Sequence, residues 1–167
     1  SDFKEKGFCV KNSVFTPEIL HTLSSEFDRI VSQLQESGEN INARWGSELT
    51  KDIEQSETQV IHTHNVQSYS AEMMAMIQSK ILLDNVEKLI GPDIILHHSK
   101  LFLKPPGKGS AFPLHQDWSY FPTEKNSMIA AVIHLTESDE EMGCMRIVPG
   151  SHRLGQIEKT DGHSFVK

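Results

Sequence analysis

The chain has 167 residues, 37% apolar and 23% charged, which suits one packed domain and gives too little charge bias for wholesale disorder. Its formal net charge is -7, from 23 acidic against 16 basic side chains, and no run of Lys/Arg exceeds a pair, so a polyanion-binding surface is not expected. The two cysteines, Cys9 and Cys144, are too few for a disulfide framework and too far apart for a zinc knuckle, and no stretch approaches the roughly 20 apolar residues of a membrane span.

In chain order, Gly7-Phe8-Cys9-Val10 with Val14-Phe15 reads as a short strand and turn. Thr16-Pro17-Glu18 is a clean helix start: Thr caps, Pro suits the first helical position, and Glu complements the helix dipole. Ile19, Leu20, Leu23, Phe27, Ile30, Val31 and Leu34 recur at three- and four-residue spacing, and Ser37-Gly38 ends the helix. Residues from Glu39 to Glu57 are polar and aperiodic, a long loop and a candidate lid. Val60 to Val66 is strand-like, Ser70-Ala71-Glu72 opens a second helix carrying Met73, Met74 and Met76, and Ile81 to Ile90 forms a third before Gly91-Pro92. Strands are then expected over Ile94 to Leu103, Pro113 to Trp118, Ser127 to Leu135 and Cys144 to Val148, with an acidic turn at Glu137 to Glu141 and a break at Pro149-Gly150-Ser151-His152. Helices first and closely spaced strands after point to α+β, a β-sandwich or jelly roll with helices on one side.

The sharpest chemical feature is His115-Gln116-Asp117. In an extended chain, residues two apart point to the same face, so one imidazole and one carboxylate can share a metal ion. A second histidine from elsewhere would complete a facial triad, leaving open positions on Fe(II) for an oxo acid and O2. Alone, H-x-D is a weak pattern. Its context is stronger: Leu103-Lys104-Pro105-Pro106-Gly107 and the run from Phe112 to Pro122 resemble the iron-binding segment of the phytanoyl-CoA dioxygenase family. Gly143-Cys144-Met145-Arg146-Ile147-Val148-Pro149-Gly150-Ser151-His152 resembles that family's second signature at a fitting distance, and the resemblance covers most of Gly7 to Gly155.

The resemblance implies a double-stranded β-helix (a cupin-like jelly roll) on N-terminal supporting helices, in a single domain over residues 1–167. It also implies Fe(II) held by His115 and Asp117, with 2-oxoglutarate as cosubstrate and O2 as co-reactant. The reaction would be hydroxylation of a small organic or acyl-CoA substrate with release of succinate and CO2. The family's third ligand, a later histidine, and the arginine that follows it are not evident. His163 lies in no strand pattern, and His152 belongs to the turn. The expectation is a chain that stops before the last barrel strands. A non-catalytic binding relative or inactive fragment is the alternative; a cupin-like metal protein without 2-oxoglutarate fits the double signature less well.

Secondary candidates follow from the same comparison. His62 and His64 share a strand face, and relatives place a polar residue there against 2-oxoglutarate, so His64 is a cosubstrate candidate. His134 is another, on the strand after the iron motif. Lys100, Phe102 and Lys104 share a face, and Lys100 or Lys104 is a candidate partner for a carboxylate of 2-oxoglutarate or of an anionic substrate. Trp118 and Tyr120, with Phe121, are candidates for the substrate entrance, with aromatic core as the competing role. His97 and His98 point to opposite faces and are read as packing; His21 is read as solvated. Reduced cysteines suggest an intracellular protein, cytoplasmic first, with a peroxisomal site left open.

Overall fold

A computed structural model describes residues 2–38, 60–107, 109, 111–121, 123–125 and 127–157. The candidate lid at Glu39 to Glu57 and His163 lie outside the described residues. Helix α1 spans Asp2–Lys6 and α2 spans Pro17–Ser37. Strand β1 is Ile61–His64, followed by a 3-10 turn at Val66–Ser68. Helices α3 (Ala71–Ile77) and α4 (Lys80–Ile90) lead to strand β2, Lys100–Leu103. Further 3-10 turns occupy Asp117–Ser119 and Ser151–Leu154.

Helix α2 forms where its caps and period place it. Thr16 Oγ1 accepts from the Ile19 N–H at 3.4 Å, Pro17 opens the first turn, and Gly38 closes it in the left-handed region at φ 72°. Its apolar stripe buries Leu23, Ile30, Val31 and Leu34, whereas Ile19 at the N-terminal end stays exposed. Ser70 caps α3 by accepting from the Met73 N–H, and Met73 enters the core. Arg29 ties α2 to the turn before α3: it pairs with Glu26 and donates to the Tyr69 carbonyl at 2.6 Å.

Strands β1 and β2 pair antiparallel, with Ile61 opposite Leu103, His62 opposite Phe102, Thr63 opposite Leu101 and His64 opposite Lys100. Side chains alternate across the sheet. Ile61, Leu101 and Leu103 therefore face α2 and α3 and join the core with Val66 and Met73. His62, His64, Lys100 and Phe102 occupy the other face. The core thus lies between helices and sheet, and the sheet's polar face is left for the site. Asn65 ends β1 in the left-handed region at φ 56°, which Asn tolerates, and donates its N–H to the Ser99 carbonyl at 2.8 Å.

Several expected strands do not form. Residues 7–10 follow α1 as irregular chain, because Gly7 (φ 83°) stops that helix with its N–H on the Phe3 carbonyl. The long strand from Ile94 contracts to Lys100–Leu103, and among the described residues only β1 pairs with it. The expected Pro113–Trp118 strand becomes an isolated bridge at His115 and a 3-10 turn from Asp117. Segments 127–135 and 144–148 are in no ladder, and Val132, Met145, Ile147 and Val148 are exposed. A strand needs a neighbouring strand for its N–H and C=O groups, and among the described residues none pairs with these segments. The architecture seen is α+β with a two-stranded sheet.

Candidate active site

His115 and Asp117 come together as the alternation argument requires. His115 Nε2 lies 3.3 Å from Asp117 Oδ1, and His115 Nδ1 donates to the Pro113 carbonyl at 2.7 Å. The Pro113 contact fixes the ring and turns Nε2 toward the carboxylate. A neutral ring in this tautomer points a lone pair at an anion, so the pair demands a cation between or on its two members. A proton on His115 is one such cation. Burial alone would lower the His115 pKa, but the Asp117 carboxylate and the Pro113 carbonyl outweigh it and hold the pKa above 6.5. The His115 hydrogen bond holds the Asp117 pKa below 3.8 against burial, helped by the charge of His115 and by His98 and Lys100. The separation also suits a metal: ligand distances of about 2.1 Å put two adjacent donors about 3 Å apart. His115 is one-quarter exposed and Asp117 one-half, so the pair is accessible from solvent.

The polar sheet face lies beside this pair. Lys100 is half-buried and feels the charge of Asp117; burial pushes its pKa down and that charge partly restores it. Its Nζ also sits 4.5 Å from the Phe102 ring centroid. The rings of His62 and His64 are 5.7 Å apart, as are those of His64 and His98. His97 and His98 share a contact between their Nδ1 atoms at 2.8 Å, and Phe121 packs 4.5 Å from His98. Burial lowers the pKa of His62, His64 and His98, and the Lys100 ammonium and neighbouring rings lower it further. The face therefore presents neutral imidazoles around one ammonium. The His62 Nδ1 atom is buried without a hydrogen-bond partner among the described residues.

The sequence-predicted residues divide accordingly. Lys100 and Tyr120 lie near the pair, Tyr120 with its ring 6.0 Å from that of His115, and His64 packs against His98 on the sheet face. Lys104 donates to the Gly143 carbonyl at 2.9 Å and lies over Phe112, tying the two signature segments together. Trp118 turns the other way and donates to Gln116 Oε1 at 2.6 Å. His134 is exposed on an unpaired segment. His98 packs on Phe121 but does not point away from His97 as expected; the two rings touch, and His98 also stands within the field of Asp117. Its alternation with Lys100 was the signal that placed it on this face. His152 Nε2 donates to the Lys4 carbonyl at 3.1 Å, a structural contact. Among the described residues, no group of three His, Cys, Asp or Glu side chains is arranged to hold a metal.

A family model described as Phytanoyl-CoA dioxygenase (PhyH) matches residues 3–165, and the chain belongs to that family. Among curated relatives, a probable alpha-ketoglutarate-dependent hypophosphite dioxygenase from Stutzerimonas stutzeri is 33% identical over 53% of this chain and 31% of its own length. Peroxisomal phytanoyl-CoA dioxygenase from Bos taurus is 27% identical over 95% of this chain and 48% of its own length. An L-proline trans-4-hydroxylase from Streptomyces griseoviridis is 25% identical over 84% of this chain and 52% of its own length. The chain thus spans about half the length or less of these relatives. No solved structure gave a significant match. Among the described residues, no helix is long and apolar enough to cross a membrane.

Proposed function

We propose that this member of the phytanoyl-CoA dioxygenase family works as a non-haem Fe(II)- and 2-oxoglutarate-dependent dioxygenase, with His115 and Asp117 as two of the iron ligands. The observation that carries the reading is the approach of His115 Nε2 to Asp117 Oδ1 at 3.3 Å, with the other ring nitrogen tied to a backbone carbonyl. Metal-binding histidines are oriented by this kind of contact. Bound Fe(II) and 2-oxoglutarate supply the oxidising chemistry, in which O2 converts the oxo acid to succinate and CO2 and places one oxygen in a substrate C–H bond.

The protein's share is binding, orientation and charge. Lys100 is placed to offset a cosubstrate carboxylate beside Asp117, and His64 supplies a neutral N–H on the same face. Lys104 and His134, also cosubstrate candidates from the sequence, stand further down the list: one is engaged with Gly143 and the other is on an exposed segment. Tyr120 is proposed to line the substrate entrance beside His115, and Trp118 to support it from the opposite side. The substrate is proposed to be a small organic molecule or an acyl-CoA, classes named among the relatives. The finer fold is proposed as the double-stranded β-helix, to which the unpaired segments 127–135 and 144–148 would contribute. A reducing compartment, cytoplasmic first, accords with the free Cys9 and Cys144.

The second reading is a non-catalytic binding relative or inactive fragment, favoured by the incomplete ligand set among the described residues. Succinate formation from 2-oxoglutarate under air separates the two. The oxygenase reading expects Fe(II)-dependent succinate that Asp117→Asn abolishes. Succinate no higher than in a metal-free control would favour the binding protein.

A further inference from the structure

Gln116 stands between the two proposed ligands, and its side chain takes the opposite direction. The backbone there is extended, at φ -112° and ψ 132°, so alternation sends residues 115 and 117 one way and 116 the other. On that opposite side Gln116 Oε1 accepts from Trp118 Nε1 at 2.6 Å and from the Ile157 N–H at 3.0 Å, while Gln116 Nε2 donates to the Gly155 carbonyl at 2.9 Å. The segment it grips is anchored at its other end. The Gly150 N–H donates to the Lys6 carbonyl at 2.8 Å, and His152 caps the Lys4 carbonyl of α1 with its ring against Gly7. Residues 150–157 therefore form a clasp between the N-terminal helix and the His-Gln-Asp triplet.

We propose that Gln116 is a positioning residue: by locking the triplet to this clasp, it holds the alternation that brings His115 and Asp117 onto one metal. The inference rests on the ligand reading above. Beside the isolated bridge at His115, the Gln116 side chain ties this stretch to Gly155 and Ile157. Only a primary amide of this length both accepts twice and donates once here. A glutamate keeps the acceptor side but sets a carboxylate against the Gly155 carbonyl; a leucine loses both.

The test compares wild type, Gln116→Leu and Gln116→Glu in the whole chain, by Mn(II) affinity, the Co(II) absorption spectrum and thermal unfolding. Supporting contacts around metal ligands are worth about tenfold or more in affinity. The expected result is a Mn(II) affinity lowered at least about tenfold in Gln116→Leu, a smaller loss in Gln116→Glu, and an altered Co(II) spectrum, all in folded protein. An unchanged affinity and spectrum in folded Gln116→Leu would overturn the proposal; if that variant does not fold, Gln116→Glu decides by the same criterion. The ligand reading fails separately, if wild type binds neither metal. In that event the metal-free His115 ring nitrogens, read by 15N NMR at a pH above the ring's own measured titration, still decide. A loss of the single Nδ1–H tautomer in the variant supports positioning, and an unchanged ring refutes it.

Discussion

The proposed ligation at His115 and Asp117 sets a metal ion in competition with a proton on His115, and this fixes a pH dependence. Asp117 titrates below 3.8 and is ionised throughout the neutral range, so it releases no proton. His115 titrates above 6.5, because its contacts with Asp117 and Pro113 favour the charged ring. Between pH 5 and 6.5 each bound divalent ion should therefore release about one proton. The association constant should rise about tenfold per pH unit, equivalent to about 1.4 kcal/mol, and flatten once pH passes the His115 pKa. Burial lowers the pKa values of His62, His64 and His98, so they add less to this slope than ordinary imidazoles would. Anaerobic titration calorimetry with Fe(II) or Mn(II), in two buffers of different ionisation enthalpy, counts the protons directly. A slope near zero over this range would refute His115 as a ligand. A slope near two would place a second titrating group in the site. The residual binding of His115→Ala should show no slope.

Three other outcomes follow from the same structure. Ile30 is 0% exposed in the core against the sheet, so Ile30→Ala should lower stability by about 3 kcal/mol in urea unfolding, and a loss below about 1 kcal/mol would mean the α2 packing is misplaced. His62, His64 and His98 have folded pKa values below 6.5, so the folded state binds fewer protons than the unfolded one. Their contribution is complete above pH 6.5 and is lost as pH falls through the folded values; the triple Gln variant should flatten the acid limb of stability between pH 6.5 and 5, and an unchanged limb would contradict it. Gly7→Ala puts a Cβ 2.4 Å from His152 Nδ1 at a φ of 83°, and should destabilise the protein by at least about 1 kcal/mol while freeing α1 to amide hydrogen exchange; protection of α1 as in wild type would show that the clasp does not hold it.

What could be read from the sequence was whatever depends on near neighbours. Helix α2 announces itself through Thr16, Pro17, its apolar stripe and Gly38, all within 23 consecutive residues. The pairing of His62 with His64 on one face needed only alternation. The approach of His115 to Asp117 followed from the same rule, although the chain there turns into a 3-10 helix and forms no full strand. Longer-range matters were not legible. Segments 127–135 and 144–148 carry strand-like residues, but a ladder depends on a partner the local pattern cannot supply. His98 alternates with Lys100, and only the pairing of β2 with β1 decides that this face meets Asp117. Lys104 shares the Lys100 pattern yet turns to the Gly143 carbonyl, a contact 39 residues away that nothing local encodes. Gln116 sits between two more conspicuous residues, and its contacts reach Gly155 and Ile157, 39 and 41 residues along the chain.

The central claim is that His115 and Asp117 hold the iron to which 2-oxoglutarate binds. Anaerobic titration of the chain with Fe(II) and 2-oxoglutarate, followed through the weak visible charge-transfer band of the chelate, tests it most directly. The account predicts a band in wild type that is lost in His115→Ala while the variant stays folded. A band that survives in the variant, or none from folded wild type, would contradict it.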